Sequence, residues 1–137
     1  MVLKTIITSS NIYPPTGPYS HAILADKTLY LSGILGMDSK ANLAPCGVEG
    51  QTKQALENLK HVLEAGGASL ESVIKITLLL ACMDDFKTVN EIYAEWFPEN
   101  FRPARTAYQV AKLPHDAAIE IEAIALSGCV VVKNVCV

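Results

Sequence analysis

The chain has 137 residues, the length of one ordinary domain, and half of its residues are hydrophobic. Its net charge of −3 comes without a run of like charges, which argues against a disordered chain and against nucleic acid as a partner. Its longest apolar runs are far shorter than the roughly 20 residues that span a bilayer, and its first residues lack a signal-peptide core. We therefore expect a single cytoplasmic domain over residues 1–137.

The cysteines and histidines give no sign of a metal site. The four cysteines show no C-x-x-C spacing, and the three histidines have no Cys, Asp or Glu at metal-ligand spacing. No glycine-rich phosphate loop is present either. We expect reduced thiols and no bound metal.

The first third of the chain has the alternation of apolar and polar residues that is typical of strands. This pattern predicts strands over residues 4–9, 19–25 and 28–32. Asp26 and Lys27 form the short turn between the second and third strands.

The middle of the chain changes to a helical period and back. Apolar side chains recur at helical spacing over residues 48–63, and Gly66-Gly67 offers a helix stop. The short, β-branched segment 73–81 then predicts a buried strand.

A second helix and two strands complete the chain. Asp84 or Asp85 is predicted to cap the helix, and Pro98 ends it. Strands are predicted over 105–113 and 118–127, which gives the order βββαβαββ.

This order predicts an α+β fold with one mixed sheet. Right-handed crossovers that advance in one direction place both helices on the same face of the sheet. The other face, which carries Tyr30 or Leu79, is then left open. Because large exposed apolar patches usually mark contacts, we expect a homo-oligomer that buries the open faces.

The only two arginines, Arg102 and Arg105, lie together around Pro103. A guanidinium group binds a carboxylate or phosphate through two parallel hydrogen bonds, a geometry that lysine lacks. The pair therefore indicates either an anion-binding site or a salt bridge to a neighbouring helix.

Two carboxylates, Glu120 and Glu122, fall on one face of an otherwise apolar strand. A partly desolvated carboxylate has a raised pKa and can accept a proton from water, which favours catalysis. The alternative is a gatekeeper on an edge strand or an ion pair across an oligomer contact. An acid and base pair for sugar hydrolysis fits poorly with so small a domain and so few aromatic residues.

Several separated motifs occur in a distinctive order: GPYS (17–20), LYLSG (29–33), DDFKTVNEIY (84–93), RPAR (102–105) and VAKLPHDAAIEIEAIA (110–125). Together they resemble the reactive intermediate deaminase family, the RidA or YjgF type. The resemblance implies a chorismate-mutase-like homotrimer with sites between subunits. It also implies the hydrolysis of small 2-imino acids and their enamines, such as 2-iminobutanoate and 2-iminopropanoate, to 2-oxo acids and ammonia, without a cofactor.

The same resemblance implies roles for three catalytic residues. Arg105 would clamp the substrate carboxylate, and Glu120 would orient or deprotonate the attacking water. Tyr19 would reach the site from the Gly17-Pro18 corner, where the proline ring restricts the backbone. The alternative for Tyr19 is an aromatic ring that fills a subunit interface.

Further residues match the substrate-binding positions of the family. Ser32 and Gly33 would line the pocket, the glycine because it allows close approach of a ligand. Asn90 would contact the pocket or fix a loop. Ala107 replaces a cysteine found in many bacterial members, so only its backbone is available to the ligand. Ile34, where many members have glutamine, is expected to make the pocket rim less polar.

The final segment, 128–137, lies beyond the matched motifs and could be an extra edge strand, a flexible tail or a partner contact. Family members have also been described as ribonucleases, translation inhibitors and chaperone-like proteins. An acidic chain disfavours RNA cleavage. A noncatalytic carboxylate-binding module is the stronger alternative, since one arginine clamp could serve either role.

Overall fold

The computed structural model describes residues 1–137 and contains seven strands and two α-helices. The strands are β1 (Lys4–Ile7), β2 (Ala22–Ala25), β3 (Thr28–Leu31), β4 (Ile34–Leu35), β5 (Val73–Leu80), β6 (Ala104–Gln109) and β7 (Ile119–Leu126). The helices are α1 (Gly47–Ala65) and α2 (Phe86–Trp96). No helix has the length and apolar character needed to cross a membrane.

All seven strands belong to one sheet with the order β1-β2-β3-β7-β5-β6, and β4 also pairs with β7. β5 and β6 are parallel, whereas the other pairs are antiparallel, so the predicted mixed sheet is confirmed. β3 and β4 run along the same neighbour, β7, and are interrupted only at Ser32 and Gly33. The interruption is the feature of the fold that opens the candidate site.

Both helices pack on one face of the sheet, as predicted. The apolar stripe of α1 and the residues Val89, Ile92 and Tyr93 of α2 join inward-facing residues of β3, β5 and β7 in one buried cluster. Because β-strand side chains alternate between faces, the same strands direct their remaining residues to the opposite face. The α+β fold inferred from the sequence is therefore confirmed.

The opposite face of the sheet is only partly covered. Tyr30 is 49% exposed on this face, as predicted, and Ile6 is also exposed. At the other end of the face, a satellite cluster covers Leu79, which is half-buried. This cluster consists of Tyr13, Leu35, Met37, Leu113 and Ala117.

The first helix stops where the sequence predicts. The N–H of Gly66 donates to the carbonyls of Val62 and Leu63, and Gly67 takes a φ of 74° that other residues rarely adopt. Asp85 occupies the N-cap position of α2, as predicted, but its side chain forms no capping hydrogen bond. A 3₁₀ turn, Met83–Asp85, leads directly into this helix instead.

Three predicted strands are too long, the first because β1 ends at Ile7 rather than at residue 9. The strand predicted from residue 19 begins only at Ala22, because Tyr19 donates its N–H to Gly17 in a turn. The strand predicted to residue 113 ends at Gln109, whose side chain accepts the N–H of Met83 at 2.9 Å. The two-residue β4 was missed because it is too short to show alternation.

Residues 128–137 form no regular secondary structure, so the predicted alternative of an extra edge strand is wrong. The N–H of Gly128 donates to the carbonyl of Gly67 at 2.9 Å. Beyond this bond, Val130–Asn134 lie beside the first residues of β5 and β6, where they line a pocket of about 320 Å³.

Candidate functional site

A first pocket, here called the carboxylate pocket, opens at the break between β3 and β4 and has a volume of about 190 Å³. It brings together four of the predicted site residues: Tyr19, Ser32, Gly33 and Glu120. The remaining lining residues are Thr16, Leu35 and Pro114. Side chains from four separate parts of the chain thus meet around one carboxyl group.

Glu120 is half-buried in this pocket and forms no ion pair. Burial, and secondly the nearby charge of Glu122, raise the pKa of its carboxyl group above the ordinary value. Gly33 lies so close that a Cβ atom there would be 2.6 Å from the carboxyl carbon of Glu120. Glycine at position 33 therefore makes room for this carboxylate.

The turn before β2 holds Tyr19 beside Glu120. The N–H of Tyr19 donates to the carbonyl of Gly17 at 2.9 Å, and its hydroxyl oxygen accepts the N–H of Thr16 at 3.2 Å. The hydroxyl of Ser32 donates to the carbonyl of Ser20 at 2.6 Å, which ties the turn to the strand break. These bonds restrict the tyrosine ring, although its hydroxyl stays at the surface.

Tyr13 forms the floor of this region and was missed by the sequence analysis. Its hydroxyl oxygen accepts the N–H of Leu35 at 2.8 Å. Burial raises the pKa of Tyr13 to about 12, the Leu35 bond opposes this rise, and the charges of Tyr19 and Glu120 add to it. His21 bridges the carbonyl of Tyr13 and the N–H of Ser9, so it supports the pocket rather than a metal ion.

A second pocket, here called the guanidinium pocket, lies between α2 and the edge strand β6 and has a volume of about 380 Å³. Its lining residues are Asn90, Tyr93, Ala94, Arg102, Pro103 and Arg105. The guanidinium carbon of Arg105 lies 4.6 Å from the ring centre of Tyr93 and 5.6 Å from that of Phe86. Stacking on aromatic faces holds the planar group in a defined orientation.

Neither arginine is part of an ion pair, so the salt bridge to a neighbouring helix is not formed. Arg102 donates its Nε–H to the carbonyl of Phe97 at 2.9 Å. The hydroxyl of Tyr93 and the amide oxygen of Asn90 are buried without a hydrogen-bond partner. The Tyr93 hydroxyl is therefore an unpaired donor beside two guanidinium groups that form no ion pair, a set suited to binding an anion, whereas the Asn90 oxygen can only accept a hydrogen bond.

Two predicted residues lie outside both pockets. Ile34 is 3% exposed and belongs to the main core, so the prediction that it forms the pocket rim is wrong. The reason is strand register, since Ile34 pairs with the buried Ile121, whereas its neighbour Leu35 pairs with Glu120. Ala107 lies two residues beyond Arg105 on the same side of β6 and packs against the core.

The two pockets share no lining residue. The register places Tyr108, not Arg105, in line with Glu120 across the intervening strand β5. Two interstrand spacings and three residues along the strand separate the backbones of Arg105 and Glu120 by about 14 Å. Their side chains also leave opposite faces of the sheet. One chain alone therefore cannot direct both groups at one small substrate.

Comparison with known proteins gives the family. Residues 9–127 match the family described as Endoribonuclease L-PSP. The chain belongs to the L-PSP family. This family covers both pockets and leaves out only the first residues and the C-terminal segment.

Curated relatives of the chain carry names that refer to imine chemistry, and solved structures share its fold. The chain is 48% identical to the human 2-iminobutanoate/2-iminopropanoate deaminase over 93% of each chain. The structure of RidA from a Psychrobacter species superimposes with a TM-score of 0.85 at 36% identity, covering 89% of this chain and 98% of that chain. The structure of Escherichia coli TdcF with bound serine gives a TM-score of 0.85 at 33% identity, covering 90% and 99%.

Proposed function

We propose that the protein hydrolyses small 2-imino acids and their enamine tautomers, 2-iminobutanoate and 2-iminopropanoate among them, to 2-oxo acids and ammonia. The similarity to deaminases over nearly the whole chain supports this reaction. The observation that carries it is the half-buried carboxyl group of Glu120, whose raised pKa suits a general base. The unpaired Arg105 adds the group that would hold the substrate carboxylate.

In the proposed mechanism, Arg105 binds the substrate carboxylate through two parallel hydrogen bonds and fixes the adjacent imine carbon. The Glu120 carboxylate removes a proton from water as the water oxygen bonds to that carbon. The imine nitrogen takes up protons, the carbon–nitrogen bond breaks, and ammonia leaves with formation of the 2-oxo group. Water is the only co-reactant, so the reaction balances without a cofactor.

The other predicted residues receive supporting roles in this proposal. The hydroxyl of Tyr19 orients the water or the departing amine, because it lines the same pocket as Glu120. Ser32 and Gly33 shape that pocket, and Asn90 contacts the substrate carboxylate beside Arg105. The backbone of Ala107 on the edge strand β6 is available to the ligand, while its methyl group excludes any nucleophilic role.

We further propose that each site forms between two chains of a homotrimer. The separation of Arg105 from Glu120 within one chain supports this arrangement, because one substrate needs both groups on adjacent carbons. The partly uncovered sheet face, with Tyr30 and Tyr108 exposed, supplies apolar surface for the contact. In this assembly the guanidinium pocket of one chain faces the carboxylate pocket of the next.

The cysteines support a cytoplasmic setting for the protein. All four cysteines are free, as the sequence predicts, and this favours the reducing cytoplasm. We propose a single domain over residues 1–137 in which 128–137 is a C-terminal extension of the L-PSP unit. Its partners are small imino and oxo acids and further copies of the same chain.

The test uses an amino-acid oxidase to generate 2-iminobutanoate in the presence of semicarbazide, which captures the imine. An active protein lowers the rate of semicarbazone formation. We expect the wild type to do so and the variants Arg105→Ala and Glu120→Gln to fail. Glu122→Gln is the matched control, because it removes a carboxylate from the same strand and face but outside the pocket. At pH 8 it should retain the wild-type rate.

A noncatalytic carboxylate-binding module is the outcome if the wild type binds 2-oxobutanoate but leaves the semicarbazone rate unchanged. Retained activity in both Arg105→Ala and Glu120→Gln would reject the residue assignments. The description of the family as endoribonucleases raises RNA cleavage as a second candidate. The same samples, incubated with single-stranded RNA, should leave it intact, since the chain is acidic and neither pocket contains a histidine.

A further inference from the structure

The guanidinium pocket contains one more cation than a simple 2-imino acid requires. A single carboxylate is satisfied by the two parallel bonds from Arg105. Arg102 lines the same pocket, and no acidic residue lines it with them. We propose that Arg102 forms a second anion subsite beside Arg105, so that the site prefers 2-imino and 2-oxo acids with a second carboxylate in the side chain.

Arg102 is fixed in place for such a contact. Its Nε–H donates to the carbonyl of Phe97 at 2.9 Å, and Pro103 restricts the backbone next to it. The two terminal amino groups of the guanidinium have no carboxylate partner within the chain. Because the Nε–H bond fixes the plane of the guanidinium group, the two terminal amino groups are preorganised as a pair of donors.

The buried hydroxyl of Tyr93 is the second, independent observation. Tyr93 is 6% exposed, lines the pocket and has no hydrogen-bond partner for its hydroxyl. Burial raises the pKa of Tyr93 to about 12, while the charges of Arg105 and then Arg102 act in the opposite direction. Both guanidinium groups thus lie close to this unpaired donor. The hydroxyl itself is buried, so a small shift of the ring toward a bound acid group would give it the partner that it lacks.

The size of the pocket agrees with a small diacid. About 380 Å³ lies within the usual range for small-molecule sites and exceeds the need of a three- or four-carbon monoacid. The net charge of the chain is −3, so two unpaired arginines in one concavity are a local excess of positive charge that attracts a dianion. This inference rests on the proposed function only in placing the first carboxylate on Arg105.

The test compares the stable products 2-oxoglutarate, a diacid, and 2-oxobutanoate, a monoacid, by titration calorimetry. We expect the wild type to bind the diacid more tightly. Arg102→Gln should weaken diacid binding about 10- to 100-fold, the usual value of a charge-assisted contact, and leave monoacid binding within about twofold. Arg102→Lys, which keeps the charge, should recover part of the preference. Lys87→Gln is the control, because it removes one exposed charge from α2 outside the pocket.

The same variants are then assayed for hydrolysis of 2-iminoglutarate and 2-iminobutanoate, generated by oxidases. Equal loss for both acids in Arg102→Gln, or no diacid preference in the wild type, would overturn the proposal. Dissociation of the oligomer in Arg102→Gln would also overturn it, since Arg102 would then pair with a neighbouring copy. Diacid binding that depends on Arg102 without any imine hydrolysis would leave this subsite standing and reject the deaminase. If imine hydrolysis and diacid binding are both unchanged in Arg102→Gln, the deaminase function stands and the second anion subsite is rejected.

Discussion

Replacement of Gly33 by alanine is expected to abolish most of the activity without unfolding the protein. The new Cβ would collide with the carboxyl group of Glu120, lying 2.6 Å from its carboxyl carbon and 3.0 Å from its Cγ. Ordinary carbon contacts are about 3.5–4.0 Å, so the carboxyl group must move by about 1 Å. A displacement of that size in a reacting group costs about 100-fold in rate. Because Glu120 can swing into the open pocket, the loss of folding stability should stay near 1 kcal/mol.

The assay for this prediction is the semicarbazone competition, together with thermal unfolding and the oligomeric state of each variant. Gly17→Ala is the matched control, since a Cβ there would meet the Tyr19 ring at an ordinary 3.6 Å. It should retain activity within a few-fold of wild type. If Gly33→Ala keeps the wild-type rate, or if both variants lose activity equally, then the position of Glu120 does not limit the reaction.

Two further predictions concern the pH profile and the stability of the fold. The like charge of Glu122 contributes, after burial, to the raised pKa of Glu120, whose deprotonated form is the proposed base. Activity should therefore fall as the pH drops through this pKa. Glu122→Gln should move the acidic limb of the kcat/KM profile to lower pH. An acidic limb at the wild-type position in this variant would contradict the prediction. Asn58 donates to the buried carbonyls of Leu35 and Met37. Asn58→Ala should lower the free energy of unfolding by about 2–4 kcal/mol in urea titrations, and a loss near zero would refute it.

The sequence predicts most of the fold because periodicity reflects burial on one side of each element. The alternation of 118–127 locates β7 to within a residue at each end. The stripe of 48–63 locates α1 to within one residue at its start and two at its end. The errors in strand length occur where hydrogen bonds other than those between strands determine the backbone conformation. At Tyr19, for example, the N–H donates to the carbonyl of Gly17 in a turn.

The candidate site is less predictable because it depends on register between distant strands. Nothing in the local pattern shows that Ile34 faces the core while Leu35 faces Glu120; the pairing with β7 decides it. The helical spacing of Phe86, Val89 and Tyr93 is typical of a core-facing stripe, which is correct for the Tyr93 ring but gives no sign of its unpaired hydroxyl. The wide separation of Arg105 from Glu120 likewise cannot be predicted without knowledge of the strand order.

Complementation between two inactive variants tests the central claim most directly. Arg105→Ala and Glu120→Gln are each expected to be inactive alone, and equal amounts of the two are dissociated in mild denaturant and reassembled together. In a cyclic trimer with one site per interface, about one quarter of randomly formed interfaces combine an intact arginine with an intact glutamate. We expect recovery of about 25% of the rate of wild-type protein that is carried through the same procedure. No recovery, with mixed trimers shown to form, would contradict a site shared between chains.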